Sequence, residues 1–424
     1  MSIQSLYSFF LEHPSVQTDT RKLKSGDIFF ALKGDNFNGN AFAAKAIEQG
    51  AAAVVIDEAA YEIPGKTFIV DNVLAALQEL ALYHRQQFRI PFIAITGSNG
   101  KTTTKELIHA VLTSTYRVST TEGNLNNHIG VPLTILKVNQ SHELAVIEMG
   151  ANHLGEIASY CKWALPTHGL ITNCGKAHLE GFGGVEGVRK GKGELFDHLR
   201  AYEGIAFRMN DYDYLHAMSA GIHHVITYGT HDADICGTLI ADQPFLEAGI
   251  TGKVDIPSIK TSLVGGYNLP NILAAVCVGH HFGVNPKNTK TAIEAYAPSN
   301  SRSQLIKSGT NTIILDAYNA NPSSMKLAIE NFAKLDAKEK VLVLGAMAEL
   351  GEESLEEHKA ILELISRYSW KAVVLVGGDF MKIPHPYQRF ENSTAAKSWL
   401  DEQGYENTHW LVKGSRSTRM ELVL

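Results

Sequence analysis

The stretch from Phe92 to Glu106 limits this chain more than any other. An apolar run, Phe92 to Ile95, has the length and composition of a buried strand. It breaks into Thr96-Gly97-Ser98-Asn99-Gly100, and a helical pattern begins at Lys101. Strand, glycine turn and helix in that order make a phosphate-binding loop on an α/β sheet. Gly97 and Gly100 let the backbone N–H groups of Gly97 to Thr103 converge on phosphate oxygens, and the following helix points its positive end at the same place. Lys101 then reaches the β- and γ-phosphates, and the Thr102 hydroxyl is set to hold Mg²⁺. The loop departs from G-x-x-x-x-G-K-[ST], because Ile95 stands where the first glycine falls. A glycine turn before a surface helix is the plainer alternative. Strand, turn, Lys-Thr and helix together favour the phosphate loop, with a triphosphate-like ligand.

The rest of the composition narrows the setting. A chain of 424 residues at about 150 per domain predicts two to four domains. With 45% hydrophobic and 19% charged residues it reads as an ordinary soluble globular protein. A net charge of -6 gives no reason to expect nucleic acid or an anionic membrane as partner. Cys161, Cys174, Cys236 and Cys277 are scattered, so buried reduced thiols are expected rather than a zinc site or a disulfide framework. The N-terminal stretch lacks a basic region with an apolar core, and no run approaches 18 apolar residues. A cytoplasmic protein without a membrane span is expected.

Three domains emerge along the chain, over 1–88, 89–298 and 299–424. In the first, Gly26 to Leu32 reads as turn and strand, Ala41 to Gln49 as a helix, and Ala51 to Ile56 and Thr67 to Val70 as strands. An amphipathic helix, Val73 to Gln87, leads out. Two polar clusters lie beside these strands, Thr18-Asp19-Thr20-Arg21-Lys22 and Lys33 to Gly39. Solvated turns and binding loops are both open for them. The central region continues with strands at Leu144–Glu148 and Gly169–Thr172, as a parallel sheet covered on both faces requires. Short β-like runs between 204 and 262 (Ala206-Phe207, Val225 to Tyr228, Ile259 to Leu263) suggest an antiparallel flap extending that sheet. A helical segment, Ile272 to His281, follows. The polar segment 297–301 marks a boundary. Beyond it, Thr312–Asp316, Val341–Gly345, Ala372–Val376 and Trp410–Gly414 recur at roughly 30-residue spacing with helical patterns between, which predicts a doubly wound, Rossmann-like sheet. No G-x-G-x-x-G follows the first of these strands, so a dinucleotide is not indicated.

Three residues of the central region are candidates for chemistry. Glu148 closes an apolar strand on the side where α/β sheets bind ligands, as a Mg²⁺ ligand or as a capping or salt-bridged acid. His178, in Asn173-Cys-Gly-Lys-Ala-His-Leu-Glu-Gly-Phe-Gly, is placed to ligate a second divalent ion or to touch the γ-phosphate. Lys192 lies with Arg189 and Lys190 in a run that by itself reads as a solvated helix face.

The phosphate loop, Thr121 to Leu133, Ile147 to Asn152, Ala177 to Gly183 and Lys192 to Phe196 together resemble the Mur ligases of peptidoglycan synthesis. So do Leu315 to Met325, Ala348 to Glu353 and Lys413 to Glu421. The resemblance covers essentially the whole chain, and the later motifs are similar to the branch that joins D-Ala-D-Ala to UDP-MurNAc-tripeptide. It implies a monomer that carries out an ATP-dependent amide synthesis. The tripeptide carboxylate attacks the γ-phosphate, and the dipeptide amine then attacks the resulting acyl phosphate. Two anions must be held together, which calls for Mg²⁺, in two ions, and Lys101 as neutralisers.

By the same resemblance, Thr102 and Glu148 hold one Mg²⁺ while His178 and Lys192 position the other. In related ligases the lysine matching Lys192 is carbamylated, which needs a neutral amine, so nearby cations or burial should depress the pKa of Lys192. The resemblance also assigns Asn271, Arg302 and Asp316 to adenine, phosphate and ribose, and Asn319, Asn321, Ser324 and Arg416 to the dipeptide. Arg416 suits the dipeptide carboxylate because a guanidinium binds one bidentately. Asp19, Thr20, Arg21, Gly34 and Asn38 match the uridine-nucleotide domain, and Asn126 and Asn127 the substrate loop. Three positions depart from the common pattern: Ala346 for Asp, Tyr267 for His, and Asn38 for Asp. A sister ligase adding the third stem residue and a folylpolyglutamate synthetase-like enzyme are the alternatives within the class. A nucleotide-binding regulatory module is the alternative outside it. Domains whose ligands must meet are expected to close around them.

Overall fold

The computed structural model describes residues 2–299 and 301–424; Met1 and Asn300, the latter inside the boundary segment 297–301, lie outside it. Three mostly parallel sheets follow one another along the chain, with a two-stranded antiparallel ribbon, Lys33–Gly34 and Phe37–Asn38, in the first domain. The first contains β1 (Val16–Gln17), β2 (Ile28–Phe30), β3 (Ala53–Ile56) and β4 (Thr67–Ile69), side by side in that order. All four residues of β3 are buried, as a strand covered on both faces demands. The predicted helix over Ala41–Gln49 is shorter: a 3₁₀ turn, Gly39–Phe42, precedes helix Ala43–Glu48. Asn38 dictates that entry, its side chain accepting from Asn40 N.

Helix α1 (Val73–Arg85), capped by Asn72, carries the chain to the central sheet. Arg85, near its end, is buried and donates to the carbonyls of Ala164, Leu165 and Phe88, with its guanidinium 3.8 Å from the Phe92 ring centroid. Those bonds anchor the first domain to the base of the second.

The central sheet has nine strands: β5 (Phe92–Thr96), β6 (Val118–Thr120), β7 (Leu144–Glu148), β8 (His168–Ile171), β9 (Ile205–Met209), β10 (His224–Gly229), β11 (Ile235–Ala241), β12 (Glu247–Gly252) and β13 (Ile256–Lys260). Their order is β13-β12-β11-β10-β9-β8-β5-β7-β6. The expected flap over 204–262 is smaller than its sequence span. Ala206-Phe207 and Val225–Tyr228 belong to β9 and β10, which continue the parallel sheet, and only the β11–β12 and β12–β13 pairs are antiparallel. Apolar runs without alternation suit a parallel interior, which is why they do not mark a flap.

The C-terminal sheet, in the order β14-β15-β19-β16-β17-β18, comprises β14 (Gln304–Ser308), β15 (Asn311–Asp316), β16 (Lys340–Gly345), β17 (Ala372–Val376), β18 (Gln388–Phe390) and β19 (His409–Lys413). Between them run α4 (Pro322–Lys334), α5 (Ser354–Ser366) and α6 (Ser393–Gln403). Two of the central domain's helices border the site, α2 (Lys101–Thr113) and α3 (Leu269–His281). Alternation within β16 separates two cores: Leu342 and Leu344 join the cluster that continues into the central domain, whereas Val341 and Val343 face the other way.

Candidate active site

Register places the site. Ile95 lies opposite Glu148, and Thr96 opposite Ile171, so the phosphate loop, Glu148 and the residues after β8 share the carboxyl edge of the central sheet. Gly97 has φ 142° and a Cβ there would collide with the Thr172 hydroxyl. Gly100 has φ 80°, and its Cβ would sit 2.6 Å from Asn271 Oδ1. Only glycine fits either place.

The loop is held from its neighbours. Ser98 N donates to Asn173 O at 2.9 Å, and Ser98 Oγ to Gly175 O at 3.0 Å. Asn99 N donates to Asn173 Oδ1, while Thr172 Oγ1 and Asn173 Nδ2 donate to Asn99 O. Lys101 folds over the loop, its Nζ donating to Gly97 O at 2.6 Å and Ser98 O at 3.2 Å. Burial, opposed by Glu148 and reinforced by Arg302, brings its amine down to about 8.

Thr102 Oγ1 donates to Glu148 Oε1 at 3.1 Å and Asn126 Nδ2 donates to the same oxygen at 2.7 Å. Glu148 is 1% exposed, and its other oxygen, Oε2, is buried without a hydrogen-bond partner. An orphaned carboxylate oxygen beside a phosphate loop fits a divalent cation, which would satisfy it. Thr102 and Glu148 therefore suit a single ion.

No hydrogen bond or ion pair joins His178 to Lys192. Lys192 is 1% exposed, donates to Ala151 O at 2.8 Å, and lies 4.9 Å from the Phe182 ring centroid. Its amine is pushed down to about 7, first by burial and then by Lys101. Arg189 and Lys190 are not the source: Arg189 pairs with Glu186 and packs over Tyr214. His178 Nδ1 pairs with the Glu349 carboxylate. No cluster of three His, Cys, Asp or Glu side chains shaped for a metal occurs among the described residues. A second ion at His178 and Lys192 thus lacks an anionic donor while Lys192 is an amine.

A cavity of about 900 Å³ opens above this edge. Ser98 to Thr103, Asn126, Asn127, Glu148 and His178 line its central-domain side. Asn271, Arg302, Asp316, Asn319, Asn321 and Ser324 also line it. Asn271 Oδ1 accepts from Thr104 Oγ1 at 3.0 Å and its amide donates to Asn268. The Arg302 guanidinium stacks 3.6 Å from the Tyr318 ring centroid. Asp316 pairs with Lys413 Nζ at 2.5 Å, because the two residues lie opposite each other at the ends of β15 and β19. Asn319 Oδ1 accepts from Ala320 N. Asn321 and Ser324 form the capping box of α4. Arg416 lines a neighbouring space of about 370 Å³ with Thr102, Arg302 and Tyr318, and pairs with Glu421.

The first-domain residues line neither space. Asp19 and Arg21 pair with each other at 2.8 Å, which brings the Asp19 carboxyl down to about 2. Asn38 Nδ2 donates to Glu58. Asp19, Thr20 and Arg21 follow β1, and Gly34 and Asn38 follow β2, so both clusters lie at the carboxyl edge of the first sheet.

Reading the chain alone missed Lys413, which is 2% exposed, and the wall formed by Tyr212, Tyr214 and Asp211 after β9. A lysine ending an apolar strand beside one ending in Asp was the available signal for Lys413. The tyrosine wall has none.

Family profiles match the chain in three segments: "Mur ligase family, catalytic domain" over 14–93, "Mur ligase middle domain" over 95–279, and "Mur ligase, glutamate ligase domain" over 301–416. A Bacillus subtilis protein named UDP-N-acetylmuramoyl-tripeptide–D-alanyl-D-alanine ligase is 38% identical over 360 residues, 83% of this chain and 77% of the relative. The chain belongs to the Mur ligase family. An Escherichia coli K12 protein of the same name is 37% identical over 97% of this chain and 92% of its own. Among solved Mur ligases, MurF from Acinetobacter baumannii matches with a TM-score of 0.87 at 30% identity, covering 96% of this chain and 92% of that one. MurF from Thermotoga maritima, in complex with ADP, matches at 0.86 and 27% identity, covering 97% and 96%. A folylpolyglutamate synthase from Mycobacterium tuberculosis shares the fold at 16% identity and a TM-score of 0.62. No helix among the described residues is long and apolar enough to cross a membrane.

Proposed function

We propose that this protein joins D-alanyl-D-alanine to UDP-N-acetylmuramoyl-tripeptide at the expense of ATP. The observation that carries the reading is the shared cavity, in which a phosphate loop and an orphaned carboxylate face the strand ends of the C-terminal sheet. The names of the relatives support the choice of dipeptide over a single amino acid.

The triphosphate lies along Gly97 to Thr103, with N–H groups and the start of α2 on its oxygens. Lys101, which folds back onto two loop carbonyls, swings to the γ-phosphate. Asn271, Arg302 and Asp316 hold the remainder of ATP. Mg²⁺ at Thr102 and Glu148 supplies charge neutralisation between phosphate and carboxylate. In the first step a carboxylate oxygen of the tripeptide attacks the γ-phosphorus and ADP leaves. In the second the dipeptide amine attacks the acyl carbon, loses a proton, and inorganic phosphate leaves. Asn319, Asn321, Ser324 and Arg416 orient the dipeptide; Asp19, Thr20, Arg21, Gly34 and Asn38 hold the uridine end, and Asn126 and Asn127 the substrate between. His178 and Lys192 complete the acyl-phosphate side. One chain supplies every group named, so the protein acts as a monomer, in the cytoplasm where ATP is available.

Phosphate release from ATP by the purified protein tests this. Release is expected only with both UDP-MurNAc-tripeptide and D-Ala-D-Ala present. Equal release with a single amino acid would favour the sister ligase instead.

A further inference from the structure

His178 and Glu349 face each other across the boundary between the central and C-terminal domains. Both are non-glycine residues in the left-handed region, with φ 54° and 61°. Left-handed backbone at such residues is uncommon and is kept where the surroundings enforce it. The enforcement is visible. Glu180 N donates to Glu349 O, Lys176 pairs with Glu357, and Lys176 N donates to Ser323 Oγ at 3.0 Å.

The imidazole is oriented by this contact. Nδ1 is shielded from solvent and in ion-pair contact with the Glu349 carboxylate, without an aligned hydrogen bond, while the ring borders the cavity. The imidazole in turn holds the Glu349 carboxyl below its usual value. A carboxylate at Nδ1 keeps the proton on that nitrogen and leaves Nε2 with a free lone pair. His178 comes from the central domain and Glu349 from the loop after β16, so this arrangement exists only when the two domains are docked.

We propose that Glu349 is a positioning residue that fixes the Nδ1–H tautomer of His178 and thereby couples docking of the C-terminal domain to readiness of the site. The proposal rests on the reading of His178 as a site residue. Glu349 touches no reacting atom in this scheme. It acts through the imidazole alone.

The test compares Glu349→Ala, Glu349→Gln, His178→Ala and the double variant Glu349→Ala/His178→Ala. Glu349→Ala should lower kcat by about 10- to 100-fold, with KM for ATP within about twofold. Glu349→Gln should stay within about threefold of the parent, since its amide oxygen still accepts from Nδ1–H. In the His178→Ala background, Glu349→Ala should add nothing. NMR of protein labelled with ¹⁵N-histidine, with ADP bound, should show the Nδ1–H tautomer at His178 and lose it in Glu349→Ala. Equal losses for the Ala and Gln variants, or additive losses in the double variant, mean that Glu349 is domain glue and overturn the proposal. So does an Nδ1–H tautomer that persists in Glu349→Ala, an outcome that leaves the reading of His178 intact. Full turnover by His178→Ala would instead remove that reading, and the proposal with it.

Discussion

Asn321 Nδ2 donates to Asn99 Oδ1 at 2.8 Å, so the N-cap of a C-terminal-domain helix touches the phosphate loop of the central sheet directly. The same asparagine accepts from Ser324 N, and its neighbour Ser323 accepts from Lys176 N. Residues 222 apart in sequence thereby share one network. The C-terminal domain is seated on the phosphate loop.

Asn321→Ala removes both the cap and this contact. It should cost about 1 kcal/mol of stability and raise KM for ATP and for the dipeptide by roughly 3- to 10-fold. Thermal melting and steady-state kinetics measure the two effects separately. Unchanged KM values would show that the contact is incidental.

Lys101→Ala takes the loop's mobile cation away. Turnover should fall by at least about 100-fold, with folding intact, because among the described residues Lys101 Nζ donates to two loop carbonyls alone. Unaltered turnover would refute the phosphate-loop assignment.

Glu148→Gln should separate metal binding from stability. The amide leaves a weaker site for a cation, so half-maximal activity should need at least about tenfold more Mg²⁺. Without the metal the variant should melt no lower than the parent, because a buried carboxylate oxygen with no partner is costly and its replacement relieves that cost. A lower melting temperature in metal-free buffer would mean that Glu148 is a structural acid.

With Lys192 near 7, its amine is mostly protonated at pH 6 and mostly neutral at pH 8. Carbamylation consumes the neutral amine and releases a proton. Adding bicarbonate to protein freed of carbon dioxide should therefore raise activity strongly at pH 8 and little at pH 6. A response independent of pH, or none, would argue against a carbamate at Lys192.

At the far end of the central sheet, His168 Nε2 and His281 Nε2 lie 3.1 Å apart. Burial, with a smaller push from His281, brings His168 down to about 4. The unfolded chain takes up a proton near 6.5, whereas the folded protein resists until about 4. Stability is therefore full above about pH 6.5 and lost as pH falls towards 4, by up to about 3 kcal/mol. His168→Gln should flatten the melting temperature across that window, and an equally steep decline would exclude His168 as its origin.

The phosphate loop was legible because its chemistry is local: a strand, two glycines forced by close approach, and a helix beginning at Lys101. The parallel core was legible for the same reason, as β7 and β16 are continuous apolar runs. β14 and β18 were not seen. Gln304–Ser308 and Gln388–Phe390 are short edge strands with little burial, so no apolar run announces them. Partnerships between distant residues were also invisible. Arg189 and Lys190 stood close to Lys192 in sequence, yet Lys101, from a different helix, is the cation that bears on it. Asp316 and Lys413 meet only because β19 inserts beside β15.

The central claim is that a peptide carboxylate attacks the γ-phosphate in the cavity between the phosphate loop and the C-terminal sheet. UDP-MurNAc-tripeptide labelled with ¹⁸O in its terminal carboxylate, incubated with ATP and D-Ala-D-Ala, tests it most directly. One labelled oxygen should pass to each inorganic phosphate released, as the new amide forms. Release of phosphate without label, with both oxygens kept by the peptide, would contradict the account.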